Sequence, residues 1–471
     1  MLLKIVNTPA GDTVTVTTEN PIRSRAPIAP LAVAMLGFFV ISLDAQIVNV
    51  ALPDIRISFG GGLAGLQWVV TSYLITFSAL QLFSGTLSDG MGARRTFGIG
   101  LAIFIVASMA CALAPSLILL VAGRILQGVG AAMMTPSSLG LIRESFPEAT
   151  ERGKAIVRCA LGGSIATAAG PIVGGALTQL DWRLIFLINI PVGAVALLLL
   201  TKVPRSAVQP RPFDWTGQIT VMLGLGGLTF GIIEGAEHGY ESAQVLGSFA
   251  LGIVGCVVFV FSQVRGRHPM IQLSLFSSSA SVLGLSVAFV NMAAFCGVVF
   301  LQSLYFQQYR ALDPLTTGLL FLPMSLLVVL LNPLVALAME RFGKLRTIVG
   351  GQVSVATGLV ALSLLPQDTP IVIVALVMVP IGVGGSFTVP PLTTLIVDRV
   401  PAQRAGTAGG VLNSARQLGG ALGVATFGAT LTLQPDFLTG LVLNFRLAAA
   451  LVVLAALLLL LLSGPSDRRA I

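Results

Sequence analysis

The chain repeatedly runs for about 20 residues almost without charge, the length a helix rising about 1.5 Å per residue needs to cross a hydrocarbon layer about 30 Å thick. Fourteen such runs can be marked out, at 30–52, 66–87, 97–114, 117–141, 159–179, 184–201, 216–234, 244–263, 282–307, 316–338, 347–365, 371–396, 406–430 and 442–462. Inside a bilayer no water satisfies backbone N–H and C=O groups, so spans of this length must be helices that bond internally. The expected fold is therefore an all-α polytopic membrane protein with 14 transmembrane helices. Composition agrees, with 55% of residues in the AVILMFWYC set, 10% charged and a mean hydropathy of +0.94. A soluble chain carries about 25% charge, and a soluble enzyme is excluded.

Lys and Arg number 27 against 19 Asp and Glu, a net charge of +8. On a soluble protein such a surplus would suggest nucleic acid; in a membrane protein, basic residues gather in cytoplasmic loops. An even number of spans puts both termini on one side. With that side inside, Lys4, Arg23, Arg25, Arg94, Arg95, Arg143, Arg152, Lys154, Arg158 and the basic residues near 202–211, 265–267, 341–346, 399–404 and 468–469 are all cytoplasmic. Arg56, Arg183 and Arg310 are left outside. The surplus is a topology signal, so nucleic acid is not an expected partner; the bilayer of the plasma membrane is.

No cleavable signal peptide is apparent, because the first apolar run begins near residue 30 and opens a polytopic pattern. Cys111, Cys159, Cys256 and Cys296 fall in or beside expected helices and read as packing residues. His238 and His268 lie in expected loops, so no metal centre is expected, and no GxxxxGK[ST] loop suggests ATP as the energy source.

The runs divide as six, two and six. The expected units are a cytoplasmic tail at 1–29, a six-helix bundle at 30–201, a linker with two inserted helices at 202–281, a second six-helix bundle at 282–463 and a tail at 464–471. The connection Gly85-Thr-Leu-Ser-Asp89-Gly-Met-Gly92-Ala-Arg94-Arg95 has a weaker echo in Met339-Glu340-Arg341-Phe342-Gly343-Lys344-Leu345-Arg346. Internal symmetry of this kind marks transporters built from two similar halves with a binding site between them.

Asp44, about two-thirds along the first span, is the most informative position. A carboxylate in a bilayer costs at least about 2.5 kcal/mol, so it faces a cavity or a partner. Burial favours the neutral acid, which makes Asp44 the candidate for binding and releasing protons; the alternative is a packing carboxyl satisfied by hydroxyls. Arg124 in span 4 keeps its charge at any usable pH and needs a partner. Asp44 is one candidate, and a static structural arginine is the alternative.

Gly163, Gly170 and Gly174 share one helical stripe of span 5, with Pro171 and Gly175 beside it. Small residues let another helix approach closely, and the seam between halves must open and reseal. The Asp89 connection reads either as a plain charged turn or as a latch on the cytoplasmic helix ends. Glu234 could recruit cations or be a solvated loop acid. Asn291, Asn332, Asn413, Arg416 and Gln417 could line a cavity or bridge helices. Phe38, Phe39, Trp68 and Tyr73 could give a lipophilic or cationic substrate an aromatic surface or anchor span ends.

Taken together and in this order, these segments resemble the major facilitator superfamily, and in particular its fourteen-span drug:proton antiporter family, over about residues 30–463. Gly85, Asp89, Gly92, Arg94 and Arg95 match the loop motif, although Gly90 stands where a basic residue is common. Arg124, Gln127, Gly128 and Gly130 match the span 4 motif, and Gly163, Gly170, Pro171, Gly174 and Gly175 the antiporter motif. The stretches from Leu43 to Pro53 and from Asp181 to Gly193 look like this family in particular.

The resemblance implies the major facilitator fold of two pseudo-symmetric six-helix bundles, and export of lipophilic, often cationic, drugs or antibiotics in exchange for protons by alternating access. It implies that Asp44 titrates, that Arg124 assists coupling, and that Asp89 and its arginines stabilise one conformation. The proton gradient is the expected energy source, with no cofactor and a monomer as the working unit. Phe38, Trp68, Tyr73, Gln127, Asn291, Asn413 and Arg416 are the candidate cavity residues. The second half holds no mid-span acid, so a monovalent cation or neutral lipophile fits better than a dication. Proton-coupled uptake of a metabolite is the alternative transporter, and a non-transporting membrane sensor the alternative from another class.

Overall fold

The computed structural model describes residues 28–462 apart from 207, 209–211, 267–268, 272, 277 and 401–404. The expected tails, save Ile28 and Ala29 at the start of the first helix, and His268, Arg211, Arg267 and Arg404 lie outside the described residues. Helix follows helix: α1 (Ile28–Phe59), α2 (Leu63–Met91), α3 (Ala93–Ala112), α4 (Leu117–Ser145), α5 (Ala149–Thr178), α6 (Leu184–Leu187), α7 (Asn189–Leu200), α8 (Trp215–His238) and α9 (Ala243–Arg265). Then come α10 (Ser279–Leu304), α11 (Pro314–Leu320), α12 (Leu322–Leu330), α13 (Asn332–Phe342), α14 (Lys344–Leu364), α15 (Ile371–Val377), α16 (Val379–Val397), α17 (Ala405–Thr432) and α18 (Phe437–Leu462).

Every interval marked in the sequence holds helix, but not every one is a straight apolar rod. Among the described residues 11 helices are long and apolar enough to cross a bilayer, or 12 if the bent pair Leu322–Leu330 and Pro333–Phe342 is one span. The difference from the expected 14 has physical causes. Pro191 can donate no hydrogen bond and crowds the preceding turn, so the Leu184–Leu200 interval is short and broken at Ile188. Pro333 likewise accompanies a 61° bend between α12 and α13. The 28-residue α17 carries Asn413, Ser414, Arg416 and Gln417 among its glycines, which dilutes its apolarity.

The connection expected as a loop at Gly85–Arg95 is a correction. α2 continues through Gly85 and Asp89 to Met91, and Gly92 alone turns the chain, with φ 87°. Its N–H donates to Ser88 O at 2.9 Å, and its carbonyl accepts from the Thr96 hydroxyl at 3.1 Å. The same device recurs at Gly343, with φ 79°, its N–H on Met339 O at 3.0 Å and the Thr347 hydroxyl on its carbonyl at 2.7 Å. Only glycine takes such a φ without strain, so the weak sequence echo corresponds to one repeated turn.

The helices before and after α8 and α9 meet where α2 lies on α17 and α5 on α11 and α12, and α8 packs mainly on α9. In that pair a Cβ at Gly227 would lie 2.7 Å from Ser248 O, and one at Gly255 2.6 Å from Gly224 N. Backbone lies on backbone, as small residues allow between apolar helices. α8 rests against α2 and α17, the two helices that run side by side between the large groups.

Candidate functional site

Two helices bring the charged centre together. Asp44 on α1 and Arg124 on α4 are 0% and 1% exposed and form an ion pair between Arg124 Nη1 and Asp44 Oδ2. α4 sits deep enough to deliver the guanidinium because of its glycines. A Cβ at Gly128 would lie 2.8 Å from both Thr76 Cβ and Tyr73 O on α2, and one at Gly130 2.7 Å from Gly100 O on α3. Arg124 has further partners: Nε donates to Val69 O at 3.0 Å, Nη1 also to Gln127 Oε1 at 2.8 Å, and the Tyr73 ring lies 4.3 Å from Cζ. A buried charge is tolerable only with this degree of pairing.

The carboxylate is equally well held. Asp44 Oδ1 accepts from Gln127 Nε2 at 3.0 Å and from Asn189 Nδ2 at 2.8 Å. Ser108 Oγ ties both donors together, at 2.8 Å from Gln127 Nε2 and 3.3 Å from Asn189 Nδ2. Asn189 and Ser108 were not singled out by sequence. An Asn two residues before Pro191 was the available signal, because the break there starts α7 at Asn189 and aims its amide inward. Asn189 Oδ1 is buried with no hydrogen-bond partner, an orphaned acceptor beside an acid. Of a cavity or a partner for Asp44, the structure provides the partner; no open space reaches the carboxylate in this conformation.

The other sequence candidates separate. Tyr73 is fully buried beneath Arg124, Phe38 packs beside Ala34 and Phe146, and Trp68 turns to α8, its Nε1 donating to Glu234 Oε1 at 2.8 Å. For Tyr73 the expectation of an open aromatic surface is corrected, whereas Phe38 and Trp68 are half-buried. Gln127 belongs to the charge network, and Asn413 Nδ2 donates to Gln81 Oε1 at 2.8 Å. Asn291 is 6% exposed and Arg416 half-buried; among the described residues neither makes a hydrogen bond or ion pair.

Glu234 is neither solvated nor free. His238, the last residue of α8 rather than a loop residue, approaches it with Nδ1 3.1 Å from Oε2, and Glu237 Oε1 accepts from Ala64 N at 3.2 Å. Glu234, Glu237 and His238 thus converge at the start of α2, where the two carboxylates already serve as acceptors for that helix.

The glycine stripe is a helix-packing surface within its own group of helices. Gly163, Gly170 and Gly174 face α1, next to Ser42, Gln46 and Ile47, not the later helices. A step of one residue turns a helix by about 100°, and so Pro171 and Gly175 look elsewhere: Gly175 abuts Pro314 O and Gly318 abuts Pro171 O on α11. This second face, not the stripe, forms the seam with α10–α18.

The seam is hydrogen-bonded mainly at the end bearing Arg56. Ser303 Oγ donates to Asn49 O at 2.6 Å, Gln307 Nε2 to Val50 O at 2.8 Å, Gln179 Nε2 to Asp313 Oδ1 at 2.9 Å and Gln67 Nε2 to Ala425 O at 2.6 Å. Towards the Arg94 end the last such bonds among the described residues are Ser78 to Ser414 O and Asn413 to Gln81. At that end Asp89 meets Arg143 at 3.5 Å, Arg94 N–H donates to Ser206 Oγ at 2.9 Å and Arg95 is exposed. With Arg143 66% exposed, the Asp89 pair contributes little stability. An apolar cavity of about 600 Å³ opens between the inserted pair, α10 and α17, with Leu225, Phe259, Phe276, Phe289 and Leu418 in its wall.

The family model described as Major Facilitator Superfamily matches residues 34–424. The chain is 38% identical over 424 residues to the multidrug resistance protein Stp of Mycobacterium tuberculosis (strain CDC 1551 / Oshkosh), covering 88% of this chain and 78% of that protein. It is 33% identical to the methylenomycin A resistance protein of Bacillus subtilis (strain 168), covering 91% and 92% of the two chains. The fold matches the solved structure of a D-xylose-proton symporter with a TM-score of 0.69 and 15% identity, over 94% of this chain and 99% of that one.

Proposed function

Because the chain belongs to the major facilitator superfamily, and is thus a multi-pass membrane transporter and not an enzyme, we propose that it exports lipophilic drugs or antibiotics in exchange for protons. The names of its relatives support efflux of such compounds. In this reading all 14 helical intervals cross the plasma membrane, the broken ones included. Residues 30–201 and 282–463 form two six-helix bundles, 202–281 supply an inserted pair, and both termini are cytoplasmic. The unit that works is a monomer, without a cofactor.

The observation that carries the proposal is the sealed Asp44–Arg124 pair with its amide and hydroxyl shell. Basic loops mark the Arg94 end as cytoplasmic, so the hydrogen-bonded Arg56 end is the closed outer gate. Opening of α1 against α4 and α7 exposes Asp44 to the outside, where a proton converts the carboxylate to the acid. The acid no longer holds Arg124 by charge, and its O–H has Asn189 Oδ1 as a ready acceptor. Return of the proton to the cytoplasm restores the ion pair. A ligand-driven shift between two such states needs a difference in binding between them, and the changing hold on Arg124 provides it.

The test is accumulation of fluorescent lipophilic dyes of positive, zero and negative charge in everted membrane vesicles. Dye accumulation that a protonophore abolishes, and that Asp44→Asn lacks at equal expression, is the expected result. Accumulation that survives collapse of the proton gradient refutes antiport.

A further inference from the structure

We propose that Arg416 is the anchor for an acidic group on the transported molecule, so that the substrate is a lipophilic organic monoanion such as a carboxylate or enolate. The proposal rests on the export reading for its context and names the substrate class of that same transporter.

Three observations converge on Arg416. First, among the described residues no acceptor bonds it and no carboxylate pairs with it, whereas Arg124 is fully paired. A guanidinium does not shed its charge, and an unpaired one within a span is costly and marks a ligand or ion path. Its neighbour Gln417 likewise leaves Oε1 buried without a partner.

Second, the side chain points to the interior of the molecule. Asn413 and Gly428 of α17 meet α2 at Gln81 and Gln67, while Gly419 and Gly423 meet α10 at Phe289 and Ala293. Ser414, Leu418 and Ala425 face the inserted pair. At about 100° per residue, Arg416 falls between the α2 and α10 edges, opposite the inserted pair. One turn on, a Cβ at Gly420 would lie 3.0 Å from Cys296 Sγ, 3.5 Å from Leu74 Cδ1 and 3.6 Å from Met292 Cγ. These neighbours of Gly420 carry no charge and come from α2 and α10, one from each large group of helices.

Third, the charges do not cancel. Asp44 would attract a cation only if it were accessible and unpaired, and it is neither. Asp44 and Arg124 neutralise each other, and among the described residues Arg416 has no carboxylate that does the same for it. A single planar guanidinium in an apolar wall matches one carboxylate, which it can bind through two parallel N–H···O bonds, and repels a cationic drug.

The test uses the purified full chain and two probes that share one body, dansyl-phenylalanine and its uncharged primary amide, with ethidium as the cationic control. Fluorescence polarisation reads binding without any proton gradient, so its outcome is independent of whether export is proton-coupled. Wild type is expected to bind the acid about tenfold or more tightly than the amide, the scale of a charge-assisted hydrogen bond. Arg416→Gln abolishes that preference, and Arg416→Lys keeps part of it. Because Arg416 makes no hydrogen bond or ion pair among the described residues, the thermal midpoint of Arg416→Gln stays level or rises. Equal binding of acid and amide, tighter binding of ethidium, binding of none of the three, or loss of the preference together with a lowered midpoint each overturns the proposal.

Discussion

Neutralising Asp44 should do two separable things, and the geometry sets the size of the first. Asp44→Asn keeps the side-chain volume and one oxygen for Arg124, but turns an NH2 towards Gln127 Nε2 and Asn189 Nδ2, both donors. It also strands the Arg124 charge, 1% exposed, with only Val69 O, Gln127 Oε1 and the Tyr73 ring. Breaking a buried pair from one side costs about 3–5 kcal/mol. Replacing both members removes the stranded charge, so Asp44→Asn with Arg124→Gln should return most of that stability. By the double-mutant cycle the coupling energy is the sum of the two single-variant costs less the small cost of the double variant, and so exceeds either single cost.

Thermal unfolding of the purified wild type, both single variants and the double variant measures this directly. The second effect is on transport, since no variant lacking the carboxylate can carry a proton at this position. The double variant should therefore be stable yet unable to accumulate dye against a gradient. A single Asp44→Asn variant within about 0.5 kcal/mol of wild type, the range of an ordinary surface substitution, and still driven by the proton gradient, would refute the reasoning at both levels.

Asn189→Ala removes one of the two amide donors to Asp44 and should destabilise by about 1–3 kcal/mol while slowing export, read by thermal unfolding and vesicle uptake; unchanged uptake would remove Asn189 from the coupling network. Gly318→Leu places a side chain against Pro171 O and Ile172, so the outer gate cannot close; a cysteine introduced at Ser303 should become reactive to impermeant thiol reagents from outside. The outer Gln179–Asp313 contact should be insensitive to pH between about 5 and 8. Thr316, first through its side chain, and then Gln179 hold the Asp313 carboxyl below the ordinary aspartate value. A group so depressed contributes above its unfolded value and loses that contribution only as pH falls through the lower folded value, which thiol labelling of a Ser303→Cys variant followed from pH 8 downwards, with and without Asp313→Asn, would check.

What the sequence disclosed followed from cost. Asp44 and Arg124 stood out because neither charge is tolerated in lipid alone, and the pairing of the two was among the options open to reasoning. Asn189 and Ser108 did not stand out, since uncharged polar residues inside spans are common and their convergence depends on the break before Pro191. Spacing located the Gly163–Gly170–Gly174 stripe but not its neighbour, and α1 of the same group occupies it. Gly85 and Gly90 suggested a loop, yet glycine is frequent within membrane helices, and only Gly92, with its positive φ, turns the chain. Arg416 read as one polar residue among several; that no acceptor among the described residues reaches it is a property of the packing and is invisible in one dimension.

The positions of the two charged centres also decide how the membrane potential acts. With Asp44 and Arg124 cancelling, the coupling site changes charge only by the proton it carries. Were the molecule held at Arg416 neutral, a one-for-one exchange would move a single charge inward. An anion leaving as the proton enters moves two, in the same electrical direction, and each charge adds about 2.3 kcal/mol per 100 mV of inside-negative potential. A cation leaving in the same exchange would cancel the proton and gain nothing from that potential. If the proposed anion is held there, the guanidinium on α17, which has no acceptor among the described residues, adds the substrate's charge to that of the proton, and the membrane potential then counts twice in the direction of export.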